Sequence, residues 1–256
     1  TLTIASGTGT VPLTGVAALT QTLTLGTLAL GSGTGLASNY TLVGGTNTGT
    51  ITAKPVNLAA SRLYDASANF ASGAFTATIT GTVGGQTLTI ASGTGTVPLT
   101  GVAALTQTLT LGTLALGSGT GLASNYTLVG GTNTGTITAK TVTLSGTRAY
   151  DASANFTAGA FTATFTGTAG AETLTIASGT GTVPSPNVAA GQTLTLGSLT
   201  LGNGTGLASN YSFAASGHTG TITSGAIIVN LAATRAYDGT VNFTAGSFSF
   251  TMTGTV

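Results

Sequence analysis

A chain of 256 residues carries only five Lys or Arg and four Asp or Glu, so 4% of it is charged, where a typical soluble domain has about 25%. One histidine, no cysteine and a net charge of +1 exclude a His/Cys metal set and a basic footprint for nucleic acid. An apolar content of 41% excludes a disordered chain, because it can bury a core.

Taken in chain order, residues 1–54 come first, and they return without a change as residues 87–140. Two further markers keep the same phase. Ala-Ser-Asn-Tyr ends at Tyr40, Tyr126 and Tyr211, and Arg-x-Tyr-Asp recurs as Arg62/Tyr64/Asp65, Arg148/Tyr150/Asp151 and Arg235/Tyr237/Asp238. The repeat is therefore about 86 residues, longer than the roughly 20–50 of solenoid repeats. It is near the ~100 residues of an immunoglobulin domain. Pro55 suits the first residue of a strand and not its middle, which favours a boundary there. The chain then divides into a C-terminal part-unit 1–54, complete units 55–140 and 141–225, and an N-terminal part-unit 226–256. No Gly/Ser linker separates them.

Within 55–140 the patterning predicts seven strands, at about 56–63, 74–81, 86–91, 96–98, 107–116, 125–130 and 135–140. In Phe75-Thr76-Ala77-Thr78-Ile79-Thr80 the apolar residues fall on one face and threonine on the other, the period-two signature of a half-buried strand. Threonine occurs 59 times, and its β-branched side chain suits a solvated pleated face. Leu109 and Leu111 share one phase, Leu114 and Leu116 the other, so Gly112 marks a bulge or tight bend. Seven short strands punctuated by Gly-rich turns predict an all-β fold of tandem Ig-like β-sandwiches in a rod-like array. Asn125-Tyr126 opening the sixth strand is similar to the tyrosine corner of such folds, its hydroxyl bonded to backbone. The best apolar run, Ala226-Ile227-Ile228-Val229, is far short of a spanning helix, so no membrane insertion is expected. Residues 1–20 lack the basic start and apolar block of a signal peptide, so an extracellular role requires a leader outside these residues.

Arg-x-Tyr-Asp-(Gly/Ala), Phe-Thr-Ala-Gly, Gly-Gln-Thr-Leu-Thr-Leu, Ala-Ser-Asn-Tyr and a closing Gly-Thr-Ile-Thr follow one another in fixed order. This pattern resembles the YDG/MBG-type tandem repeats of large secreted bacterial adhesins, the filamentous-haemagglutinin-like surface proteins. Only Tyr237-Asp238-Gly239 carries the glycine; the other two copies read Tyr-Asp-Ala. The resemblance implies an extracellular Ig-like array serving as a stalk or fibre on the bacterial cell surface, with no enzymatic activity and no cofactor.

Each Arg/Asp pair at Arg62/Asp65, Arg148/Asp151 and Arg235/Asp238 reads as an ion pair pinning a strand or a junction, rather than as a ligand contact. The tyrosines at two fixed phases read as core anchors. One Asp per unit is too few for calcium, and Glu172 alone gives no carboxylate pair for hydrolysis. Gly31-Ser32-Gly33-Thr34-Gly35 lacks the helix of a phosphate loop. His218 lacks a Ser/Asp partner for catalysis. An isopeptide at Lys54 or Lys140 is not general, since Gly225 stands at the equivalent place. Twist argues against an ice-binding face, and the absence of Trp against a membrane barrel. A glycan-binding module remains the alternative function from a different class.

Residues 226–256 supply the equivalents of the first two strands of a unit, and 1–54 the remaining five. Only the equivalents of Gly84-Gly85-Gln86 separate Val256 from Thr1 in phase. Each part alone exposes an apolar face and an open strand edge. The expected partner is therefore a copy of the chain, or an adjoining repeat of the same long polypeptide, joined head-to-tail. A host or matrix ligand is not specified by any motif.

Overall fold

The computed structural model describes residues 1–16, 20–102, 106–129, 132–226 and 230–253. The run Ile227–Val229, Gly130 at the end of the expected sixth strand, and the phase match through Gly254–Val256 lie outside the described residues. The chain is all-β and sandwich-like, with two compact units: residues 1–63 with 67–138, and residues 64–66 with 139–256.

The first unit opens with four short strands, β1 (Leu2–Ser6), β2 (Gln21–Thr22), β3 (Ala29–Ser32) and β4 (Thr48–Gly49). They pair only as β1 with β3 and β2 with β4. Then come β5 (Lys54–Leu63), β6 (Asn69–Ala71), β7 (Thr76–Thr80), β8 (Leu88–Ser92) and β9 (Thr94–Thr96). The set ends with β10 (Gln107–Thr108), β11 (Ala115–Ser118), β12 (Tyr126–Leu128) and β13 (Thr134–Thr138).

β5 is the organising strand. It buries every second residue, Val56, Leu58, Ala60 and Arg62, so one face belongs to the core. One edge pairs antiparallel with β7; the other pairs parallel with β12 and then β13, and β10 extends the sheet beyond β13. The opposing layer comes from the pairs β6–β9 and β8–β11. Phe70 of β6, fully buried, packs closely on the sheet at Gly135. Gly135 of β13 makes that approach possible: a Cβ there would stand 2.5 Å from Val97 Cγ1 and 3.2 Å from the Phe70 ring.

Three details depart from the sequence reading. The expected strand 107–116 is two strands, because Gly112 adopts φ +56° and turns the chain. The three-residue β6 went unpredicted. A 3-10 turn, Ala123–Asn125, precedes Tyr126 where a strand start was expected.

The second unit repeats this plan with β14 (Lys140–Ala149), β15 (Asn155–Thr157), β16 (Thr162–Thr166), β17 (Leu174–Ser178) and β18 (Thr180–Thr182). It continues with β19 (Ala189–Thr193), β20 (Thr200–Asn203), β21 (Tyr211–Phe213) and β22 (Thr219–Thr223). β14 pairs with β16, β21 and β22 as β5 pairs with β7, β12 and β13. Leu144, Phe156, Val183, Leu194, Leu199 and Ile222 form its core. A last hairpin, β23 (Asn230–Thr234) with β24 (Ser249–Thr253), has the register of β5 with β7.

Identical sequence does not give identical structure. Residues 1–54 and 87–140 match throughout, yet Thr134–Thr138 is a five-residue strand while only Thr48–Gly49 pairs in the first copy. Tyr126 is 7% exposed, and its twin Tyr40 is 58% exposed. Ile137, Leu109 and Val97 are buried where Ile51, Leu23 and Val11 are half-buried. The difference is the organising strand: 87–140 has β5, β6 and β7 to pack on, and 1–54 has no strand in their place among the described residues. The hairpin β23–β24 shows the converse. Its Leu231 and Phe243 are more than half exposed, although their equivalents Leu58 and Phe70 are almost fully buried.

Candidate functional site

The Arg-x-Tyr-Asp stretch ends the organising strand, and the alternation of that strand puts its arginine on the buried face. Arg148 follows Val142, Leu144 and Gly146 in phase and is 6% exposed. A buried guanidinium must have its donors satisfied, and the turn that follows supplies acceptors. Arg148 donates to the carbonyl of Ala149 at 3.0 Å, to the carbonyl of Ser153 and to Asp151 Oδ1. Its flat face lies 5.0 Å from the centroid of Phe156, a cation–π contact. Asp151 Oδ1 also accepts the Ser153 N–H at 2.9 Å, closing an Asx turn. That backbone N–H, with Arg148 adding to it, holds the Asp151 carboxyl below the usual carboxylate range.

The same turn forms in the other copies. Arg62 donates to the carbonyls of Leu63 and Ser67 and lies over Phe70; Asp65 is exposed. Arg235 pairs with Asp238, donates to the carbonyl of Thr240 and lies over Phe243. Because it forms on the exposed hairpin too, the turn is encoded locally. The residue after Asp has positive φ each time: +65° at Ala66, +64° at Ala152 and +76° at Gly239. Two alanines thus adopt a conformation that glycine takes without strain, and the turn type is the same in all three copies.

What the turn presents is its tyrosine. In the second unit Tyr64 is 5% exposed, and its ring meets Tyr211 edge-on at 5.4 Å and 81°. The Tyr64 hydroxyl donates to Glu172 Oε1 at 2.8 Å, and the Tyr211 hydroxyl donates to Glu172 Oε2 while accepting the Ala169 N–H at 3.0 Å. Asn210 also bonds the Tyr64 side chain. Burial, followed by the bond to Glu172, pushes the Tyr211 phenol up to about 12 and raises that of Tyr64. Both stay neutral donors to the carboxylate.

The first unit has the same arrangement around Tyr126. Its hydroxyl donates to Gln86 Oε1, the equivalent of Glu172, and accepts the Val83 N–H at 3.1 Å. Asn125 Oδ1 accepts the Val16 N–H at 2.8 Å. Beside these residues lies a cavity of about 290 Å³, whose lining includes Val16, Ile51, Lys54, Val83, Gln86 and Tyr126. It occupies the place that corresponds to Tyr64 in the second unit. The remaining tyrosines differ. Tyr150 is half-buried against the second core, and Tyr237 is 94% exposed.

Sequence reasoning singled out the tyrosines and the Arg/Asp pairs but not the partner roles of Gln86, Glu172 and Asn210, which bond the tyrosine side chains. The signal was available, since Gln86 and Glu172 share one repeat position. His218 is a core residue. Its Nδ1 accepts the Leu144 N–H at 3.0 Å and its Nε2 bonds the Ala214 carbonyl at 2.9 Å. Asn133 does the same in the first unit, accepting the Leu58 N–H at 2.7 Å and donating to the Val129 carbonyl. In the second unit His218 fills a gap in the sheet, where the five residues 214–218 between β21 and β22 stand opposite only Thr143 and Leu144 of β14. Lys140 donates to the Thr168 carbonyl at 3.4 Å. Among the described residues no three His, Cys, Asp or Glu side chains stand together as metal ligands.

Residues 133–219 match the family model of the YDG domain, over a stretch of about one repeat length that begins one residue before β13. No curated protein and no solved structure matches the chain.

Proposed function

We propose that the chain is a non-enzymatic structural segment, a stalk or fibre piece of an extracellular bacterial adhesin or surface filament. Its units are 55–140 and 141–225, and its part-units 226–256 and 1–54 complete one another head-to-tail, between copies or between adjoining repeats. The observation that carries this reading is the contrast between identical sequences. Residues 87–140 bury Ile137, Leu109 and Tyr126 against an organising strand, whereas in 1–54 Ile51 and Leu23 are only half-buried and Tyr40 is exposed. A β23–β24 hairpin with Leu231 and Phe243 exposed offers the missing face. Exposed apolar surface of this kind marks an interaction site, and an open edge takes a strand from another chain. The match to the YDG domain supports the surface-protein setting. Buried Tyr64, Tyr126 and Tyr211 favour the structural reading over a glycan-binding module, which stacks sugars on exposed rings. Negative-stain electron microscopy of the purified chain tests the proposal: linear assemblies support it, and isolated single particles at high concentration contradict it.

A further inference from the structure

Resting on the head-to-tail reading, we propose that the cavity beside Tyr126 and Gln86 is a socket for Tyr237 of a second copy of this chain. The second unit shows the occupied form: the tyrosine of an Arg-x-Tyr-Asp turn lies edge-on to Tyr211, with its hydroxyl on Glu172. The first unit presents the same walls, with Gln86 for Glu172, Val83 for Ala169 and Asn125 for Asn210, around an open cavity. Tyr237 is the matching plug. Its ring is 94% exposed, and its turn is already held by Arg235, Asp238 and the left-handed Gly239.

The strands carry the plug to the socket. If β23 lies parallel to Thr48–Thr52 as β5 lies parallel to β13, the pairing runs from Thr48 opposite Ala232 to Thr52 opposite Ala236. This register is that of Thr134 opposite Ala59 to Thr138 opposite Leu63. The next residue, Tyr237, then enters beside Ile51 and Lys54. The hydrogen-bond chemistry differs in one respect from the occupied socket. Glu172 accepts from two phenols, whereas Gln86 accepts from Tyr126 and turns its amide NH₂ to the oxygen of the incoming phenol.

Sedimentation of the 256-residue chain over a range of concentrations tests the socket, with Tyr237→Ala and Tyr237→Phe as variants. Because Tyr237 is exposed, neither substitution disturbs folding. A buried aromatic anchor at an interface is a hot spot, so Tyr237→Ala is expected to weaken self-association about thirtyfold. Tyr237→Phe, which keeps the ring, should weaken it only a few-fold. Wild-type association that is unchanged in Tyr237→Ala overturns the socket and leaves the head-to-tail reading standing. A wild-type chain that stays monomeric overturns both.

Discussion

His218 illustrates how a side chain with catalytic potential takes a structural place. It stands where the first unit has Asn133, and an imidazole with hydrogen on Nε2 presents the acceptor and the donor of an amide. The neighbouring position has changed with it. Leu128 faces Asn133 in sequence phase, and Phe213 meets the His218 ring edge-on at 5.5 Å. We expect His218→Asn to cost about 1 kcal/mol, because the amide keeps both hydrogen bonds but cannot pack edge-on against the Phe213 ring. His218→Leu should cost about 2 kcal/mol or more, because the buried Leu144 N–H loses its acceptor. Denaturant titration compares them; equal destabilisation would mean that the two hydrogen bonds contribute nothing. In the sequence His218 was visible only as a lone imidazole without catalytic partners. Its equivalence to Asn133 follows from the repeat, but its role depends on a bulge that no residue type announces.

The elements show where the sequence was legible and where it was not. β7 could be read from period-two alternation, and β5 starts within two residues of the expected position, 56. The split of 107–116 could not be read from alternation alone. Four leucines straddle Gly112, and only its left-handed φ distinguishes a turn from a bulge. β6 is three residues long and follows directly on the Arg-x-Tyr-Asp turn that feeds it. That turn is itself an element, and two of its copies are strained. An alanine at positive φ costs roughly 1–2 kcal/mol, while glycine's extra unfolded-state freedom costs roughly 0.5–1. Ala152→Gly should therefore stabilise the second unit by about 0.5–1 kcal/mol, read as a higher denaturation midpoint. A lower midpoint would mean that the turn does not require the left-handed conformation in solution.

At the scale of the whole molecule, the repeat is the main lesson of the sequence, and the two copies of 1–54 are its internal control. Composition, alternation and phase led to an all-β chain with complementary part-units. They could not say what the lack of a partner strand does to residues that are otherwise the same. The structure locates that effect in particular groups: Tyr40, Ile51 and the run 50–52 that is a strand only in the second copy. It follows that stability in this chain is shared between segments far apart in sequence, and that β23 and 48–52 each carry an edge suited to the other. Backbone amides on an open edge exchange with solvent, and pairing protects them. Hydrogen exchange of residues 230–236, whose sequence occurs once in the chain, therefore tests head-to-tail completion most directly. Their protection is expected to rise steeply with protein concentration, in step with self-association. Exchange of 230–236 that stays fast in the associated state would contradict it.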